Sequence, residues 1–116
     1  MVKKIPLDEH GQRRVAKAYC RLIGPLRARA YELGYAIGVH GSIKRDIDFI
    51  ACPWTRHAVG PLKLAEALRA ETERIIGFAV FGSDGPFPRR KPHGRLCWII
   101  HFNGTYIDLS IMPRLR

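Results

Sequence analysis

The dipeptide Asn103-Gly104 constrains this chain more than any other feature. Such a pair accepts the positive φ angles of a type I′ turn, whose twist matches that of the strands it joins. Before it, Leu96, Trp98, Ile100 and Phe102 alternate with Cys97, Ile99 and His101. After it, Ile107, Leu109 and Ile111 alternate with Tyr106, Asp108 and Ser110. A two-residue turn predicts strands from Leu96 to Phe102 and from Thr105 to Ile111. It sets Phe102 opposite Thr105 and Asp108 opposite Ile99. Ile107, Leu109 and Ile111 then go to the core, while Tyr106, Asp108 and Ser110 share a face with His101. An aspartate inside a strand, between Ile107 and Leu109, is disfavoured without compensation. A salt bridge or a solvated sheet face accounts for Asp108 taken by itself. A chemical role needs companions.

Companions occur in the stretch VHGSIKRDIDFI, residues 39–50. An apolar run, Tyr35 to Val39, stops at His40-Gly41-Ser42. Asp46-Ile47-Asp48 follows, then Phe49, Ile50, Ala51 and Cys52. By strand period, Asp46, Asp48 and Ile50 point one way and Ile47, Phe49 and Ala51 the other. Two carboxylates so close repel, and each resists ionising beside its twin. A divalent cation relieves that, and hard oxygen donors suit Mg²⁺ or Mn²⁺. With Asp108 on another strand of a small sheet, three carboxylates converge on one site.

The rest of the chain supplies the scaffold. Asp8 is placed to cap a first helix, with Glu9 favourable in its first turn. Val15, Tyr19, Leu22, Leu26, Ala30 and Leu33 keep helical spacing, and Gly34 closes the helix. Gly24-Pro25 interrupts that pattern without changing its phase, so a kink or a brief break is expected. Strands follow at about Tyr35 to His40 and Asp46 to Cys52, the second ended by Pro53. Pro61 suits the first turn of a second helix, with Leu64, Ala65, Leu68, Thr72 and Ile75 as its apolar stripe and Gly77 as its stop. Phe78 to Phe81 reads as a short strand. Residues 82–94, GSDGPFPRRKPHG, read as a long loop carrying Arg89, Arg90, Lys91 and His93.

These 116 residues suffice for one domain, residues 1–116, with a real core. The charge is lopsided: 20 Lys and Arg against 10 Asp and Glu, a net +10. A surplus of that size favours a polyanionic partner, nucleic acid or a nucleoside triphosphate, although a solubilising surface is an equal reading of charge alone. Cys20, Cys52 and Cys97 are far apart and form no metal-binding spacing, so they read as reduced core residues of a cytoplasmic protein. The N-terminus lacks an apolar run of signal-peptide length, and no stretch reaches membrane-spanning length.

Gly41-Ser42, then Asp46-Ile47-Asp48, then Tyr106-Ile107-Asp108-Leu109 resembles the pattern of the polymerase-beta-like nucleotidyltransferase superfamily, and within it the minimal, single-domain members. The resemblance covers about Tyr35 to Ile111. It implies an α+β nucleotidyltransferase fold: a small mixed, mostly antiparallel sheet of about five strands with helices on one face. It implies metal-dependent transfer of a nucleoside monophosphate from a nucleoside triphosphate to a hydroxyl acceptor, with release of pyrophosphate. Asp46, Asp48 and Asp108 would be the catalytic residues and would hold two Mg²⁺ or Mn²⁺ ions. Gly41 and Ser42 would contact the triphosphate. Only Ile43, Lys44 and Arg45 separate Ser42 from the first aspartate, and the charges of Lys44, Arg45, Lys91 and Arg95 suit them to phosphate contacts. The acceptor would be nucleic acid, a protein or a small hydroxyl compound. The alternative is a catalytically inactive member, antitoxin-like, that binds nucleic acid or a protein partner.

Overall fold

The computed structural model describes residues 7–83 and 85–115. The reading of the extreme N-terminus, at residues 1–6, and position 84 of the long loop lie outside the described residues.

Helix α1 spans Glu9–Glu32. The Asp8 carboxylate accepts from the Gly11 amide at 2.7 Å, which satisfies one of the orphan donors of the first turn. Pro25 lies inside the helix, and the helix continues through it. Leu22 and Leu26 are both fully buried on either side of that point. Their burial, worth roughly 1.5–3 kcal/mol each, offsets the hydrogen bond that proline forgoes. Gly34, at φ 95°, turns the chain into β1, Tyr35–His40. A side chain is excluded there, because a Cβ would stand 2.6 Å from the Ala58 Cα.

Strand β2 spans Ile47–Pro53, so Asp46 lies in the turn before it and not within it as expected. Helix α2 spans Pro61–Ile76, and Gly77 closes it in the left-handed conformation. A short edge strand β3, Val80–Phe81, and a second, β4, Arg89–Arg90, follow. The long loop is therefore partly ordered onto the sheet. Its last turn, Pro92–Gly94, is a 3₁₀ segment. Then come β5, Leu96–Phe102, and β6, Thr105–Ile111. Asn103 and Gly104 both take positive φ, 43° and 75°, as the turn requires. Phe102 pairs with Thr105 and Ile99 with Asp108.

The strand order is β1-β2-β6-β5-β3, with β4 also paired to β5. Strands β3 and β4 meet β5 at different points, His101 and Ile100 for one, Cys97 and Leu96 for the other. They act as one edge interrupted by an excursion. The sheet is mostly antiparallel, with one parallel pair, β2 and β6. One core cluster joins Val15, Leu22 and Leu26 of α1, Leu64 and Leu68 of α2, and Ile37, Phe49, Ile100 and Leu109 of the sheet. Both helices thus cover the same sheet face. The alternate positions, His40, Asp48, Cys97, His101, Tyr106 and Asp108 among them, face away from the helices. No helix among the described residues is long and apolar enough to cross a membrane.

Candidate active site on the open sheet face

The parallel pairing of β2 with β6 sets Asp48 beside Asp108 as Cα partners. Adjacent strands lie about 4.8 Å apart, and residues directly opposite point to the same side. Both aspartates are half-buried. Two carboxylates brought side by side in the middle of a sheet make a site that favours a cation.

Gly41 sits against this pair. It follows β1 at φ 74°, and a Cβ there would stand 3.0 Å from Asp48 Oδ2. Backbone approaches the carboxylate as closely as it can only because the residue is glycine. His40 stands opposite Asp48 in the β1–β2 ladder and is exposed. Ser42 and Lys44 are exposed in the turn between those strands.

Asp46 is nearly fully buried at the end of that turn. Arg45 stands beside it, its guanidinium 3.5 Å from Asp46 Oδ2. The same guanidinium donates to the Tyr106 hydroxyl at 2.8 Å and lies over its ring. Thr105 Oγ1 donates to the Arg45 carbonyl at 2.8 Å, which pins the turn to the start of β6. Arg45, expected as a phosphate contact, therefore spends its charge on the protein's own groups. Tyr106 is two residues before Asp108 on the same face, so this cluster adjoins the carboxylate pair.

On the other flank, Cys97 Sγ donates to Asp108 Oδ1 at 2.9 Å. Burial pushes the Cys97 thiol up to about 12, and the Asp108 carboxylate adds to the effect against the smaller pull of Ser110 and Lys91. The thiol stays protonated at neutral pH and acts as a fixed donor, not as a nucleophile. It anchors one oxygen of Asp108. Lys91 is exposed and near enough for its charge to act on Cys97. Arg95 is half-buried, and its Nε has no hydrogen-bond partner among the described residues. Arg89 pairs with Cys97 in the β4–β5 ladder and so shares the open face.

The cysteine reading needs correcting. Cys97 is buried, but Cys20 and Cys52 are exposed. Cys20 falls off the apolar stripe of α1, and Cys52 lies on the alternate of β2 that faces away from the helices. Sequence reasoning put Tyr106 on the face of Asp108 but missed the thiol of Cys97 as its hydrogen-bond donor and the pairing of Arg89 with Cys97. A signal for Cys97 existed. The hairpin register makes it the diagonal neighbour of Asp108 on the same face.

As placed, the described residues contain no group of three or more His, Cys, Asp or Glu side chains that could hold a metal ion. The donor chemistry of Asp48 and Asp108 fits a hard divalent cation as a pair, and Asp46 lies beside Arg45. A recess of about 90 Å³ opens at the edge where β3 and β4 meet β5, lined by Gly82, Phe87, Arg89, Cys97 and His101 among others, and none of the three aspartates lines it. A larger groove of about 1180 Å³ lies elsewhere, between the first half of α1, Ile76 and the β5–β6 turn, and none of the three aspartates lines it. No family model, no curated protein and no solved structure matches the chain.

Proposed function

We propose that this chain is a metal-dependent nucleotidyltransferase that moves a nucleoside monophosphate from a triphosphate to a hydroxyl acceptor. The observation that carries the reading is the pairing of Asp48 with Asp108 across parallel strands, with the Gly41 backbone against the Asp48 carboxylate. It agrees with the Gly-Ser, Asp-x-Asp and third-Asp pattern of the polymerase-beta-like superfamily.

Bound Mg²⁺ or Mn²⁺ would neutralise the triphosphate and lower the pKa of the attacking hydroxyl. Asp48 and Asp108 would hold the ions, with Asp46 joining once its contact with Arg45 opens. Gly41 and Ser42 would let the phosphates approach backbone amides without steric conflict. Lys44 on one flank and Lys91 and Arg95 on the other would balance the phosphate charge, with Arg45 released to join them. The free oxygen of Asp108 would take the acceptor proton, while Cys97 holds the other oxygen in place. The acceptor oxygen bonds to the α-phosphorus, the bond to the bridging oxygen breaks, and pyrophosphate leaves.

Incubation with each labelled triphosphate and Mg²⁺ or Mn²⁺ tests this. The expected result is metal-dependent transfer with pyrophosphate release, abolished by Asp48→Ala or Asp108→Ala. A second readout is the melting temperature with Mn²⁺ and a triphosphate, which should rise for the native chain only. If neither transfer nor a shift occurs with any of the four common triphosphates, the reading fails.

The contact of Arg45 with Asp46 favours one other reading. With part of its acidic charge already neutralised from within, the fold would serve as an inactive module binding nucleic acid or a protein partner, antitoxin-like. Salt-sensitive nucleic-acid binding that survives both alanine substitutions, without transfer, would support it.

A further inference from the structure

At the far end of β2 from Asp48 the surface changes character. Trp54 and Tyr31 are stacked, with ring centroids 4.8 Å apart and planes 16° from parallel. Yet Trp54 is 49% and Tyr31 62% exposed. Burying two such rings against the core would contribute far more than stacking them in water. The pair is also rigidly mounted. The Trp54 amide donates to the Gly34 carbonyl at 2.9 Å, and the Val59 amide to the Leu33 carbonyl at 3.0 Å. Tyr35 Oη donates to the Val59 carbonyl at 2.7 Å. The close contact of Gly34 with Ala58 locks the same junction.

Two arginines flank this platform. Arg27 precedes Tyr31 by one helical turn, and i, i+4 positions are neighbours on a helix surface; its Nε donates to the Ile37 carbonyl at 3.3 Å, which leaves its terminal nitrogens for other partners. Arg56 and His57 follow Trp54 and are exposed. Between the end of β2 and the carboxylate pair, the open face of β1 and β2 presents Ala36, Gly38 and Cys52, exposed and small, and the half-buried Ile50. Trp54 follows Asp48 by six positions, about 20 Å of extended chain. The net charge of +10 supplies the long-range attraction for a polyanion.

We propose that Tyr31 and Trp54 form a stacking platform for the bases of single-stranded nucleic acid, with Arg27 and Arg56 meeting its phosphates. Exposed aromatic rings beside cations are the general solution for single strands, because every base has a π face and every linkage a charge. The strand would run from the platform across Ala36, Gly38 and Cys52 toward Asp48 and Asp108. That course makes single-stranded nucleic acid the acceptor if the transfer reading holds, but binding at the platform rests on no step of that reaction.

The test uses the full chain and a deoxythymidine oligonucleotide of about 12 nucleotides, within the site sizes usual for such surfaces. Trp98 is buried at 2% exposure, so quenching of the exposed tryptophan reports Trp54. The expected result is saturable quenching and binding that Trp54→Ala weakens about tenfold, while Trp54→Phe retains most of it. Arg56→Gln should lower the slope of log affinity against log salt by about 0.7. Tyr31→Ala, on an exposed helix position, gives a second variant should Trp54→Ala melt early. The proposal is overturned if the oligonucleotide neither binds nor quenches, as for a surface that docks a protein. It is also overturned if Trp54→Ala and Tyr31→Ala bind as the native chain does, or if duplex DNA binds as tightly with the same quenching. Asp48→Asn separates the two readings. Oligonucleotide binding with no transfer by the native chain retires the transfer reading and leaves this one standing. Transfer to a small hydroxyl compound without oligonucleotide binding does the reverse.

Discussion

Gly41 shows how much one missing methyl group permits. Its φ of 74° is costly for any residue with a Cβ, and that Cβ would press on Asp48 Oδ2 at 3.0 Å. Gly41→Ala is therefore expected to lose about 1–2 kcal/mol of stability by denaturant titration. It should also weaken Mn²⁺ and triphosphate binding, measured by thermal shift, more than that loss alone accounts for. Tyr35 is a different case. It is fully buried, its hydroxyl serves the Val59 carbonyl, and burial holds its pKa above the usual phenol value against the opposing charge of Arg114. The folded state thus keeps the proton longer than the unfolded chain does. Its contribution is complete below pH ~10 and is lost as pH rises from there through the folded pKa. Tyr35→Phe leaves the Val59 carbonyl without this donor, a cost of about 1–3 kcal/mol, and flattens the alkaline limb of the stability profile. An unchanged limb in the phenylalanine variant would contradict this account.

At the scale of elements, the junction of α1 with β1 is the tightest point. Gly34→Ala combines a strained φ with a Cβ that meets backbone, not the end of a flexible side chain. We expect a loss of at least ~2 kcal/mol, read as a lower denaturant midpoint with an unchanged slope. The hairpin of β5 and β6 behaved as its turn dipeptide demanded, down to Ile99 opposite Asp108. Helix α2 followed Pro61 and Gly77 to within a residue at each end. The loop after β3 did not follow its composition. Its glycines and prolines signal irregular backbone, yet Arg89 and Arg90 pair with β5. Edge pairing of so short a segment depends on an open strand edge nearby, and no local pattern records that. The same edge shows why Arg89 escaped notice beside Cys97. Its neighbour is set by a ladder that the loop's own sequence does not announce.

For the molecule as a whole, one core joins both helices to all the long strands. Unfolding is expected to be a single cooperative transition, with far-ultraviolet circular dichroism and the emission of buried Trp98 changing together. Two separated transitions would mean that the helices and the sheet do not share a core. The charge surplus acts at this scale too. It belongs to no single patch, since Arg13, Arg14 and Lys17 line the groove along α1 while Arg56 stands near the platform and Lys91 near the carboxylates. Charge by itself would attract a polyanion to any of these places. What distinguishes them is the chemistry each sets beside its cations: paired carboxylates, stacked rings, or an apolar groove.

Alternation, helical spacing and turn residues determined the elements of this protein and which face of each strand meets the core. Those signals are local, since each depends on residues within a few positions of one another. The same locality explains why Asp46, Asp48 and Asp108 were visible as candidates while their convergence stood only as an expectation, of which the ladder pairs Asp48 with Asp108. Only the tertiary structure decided that β2 lies parallel to β6. That pairing bridges some sixty residues and follows from how α2 and the β5–β6 hairpin close over a shared core. A slip of one residue along that ladder would have turned Asp108 away from Asp48 and toward the helices.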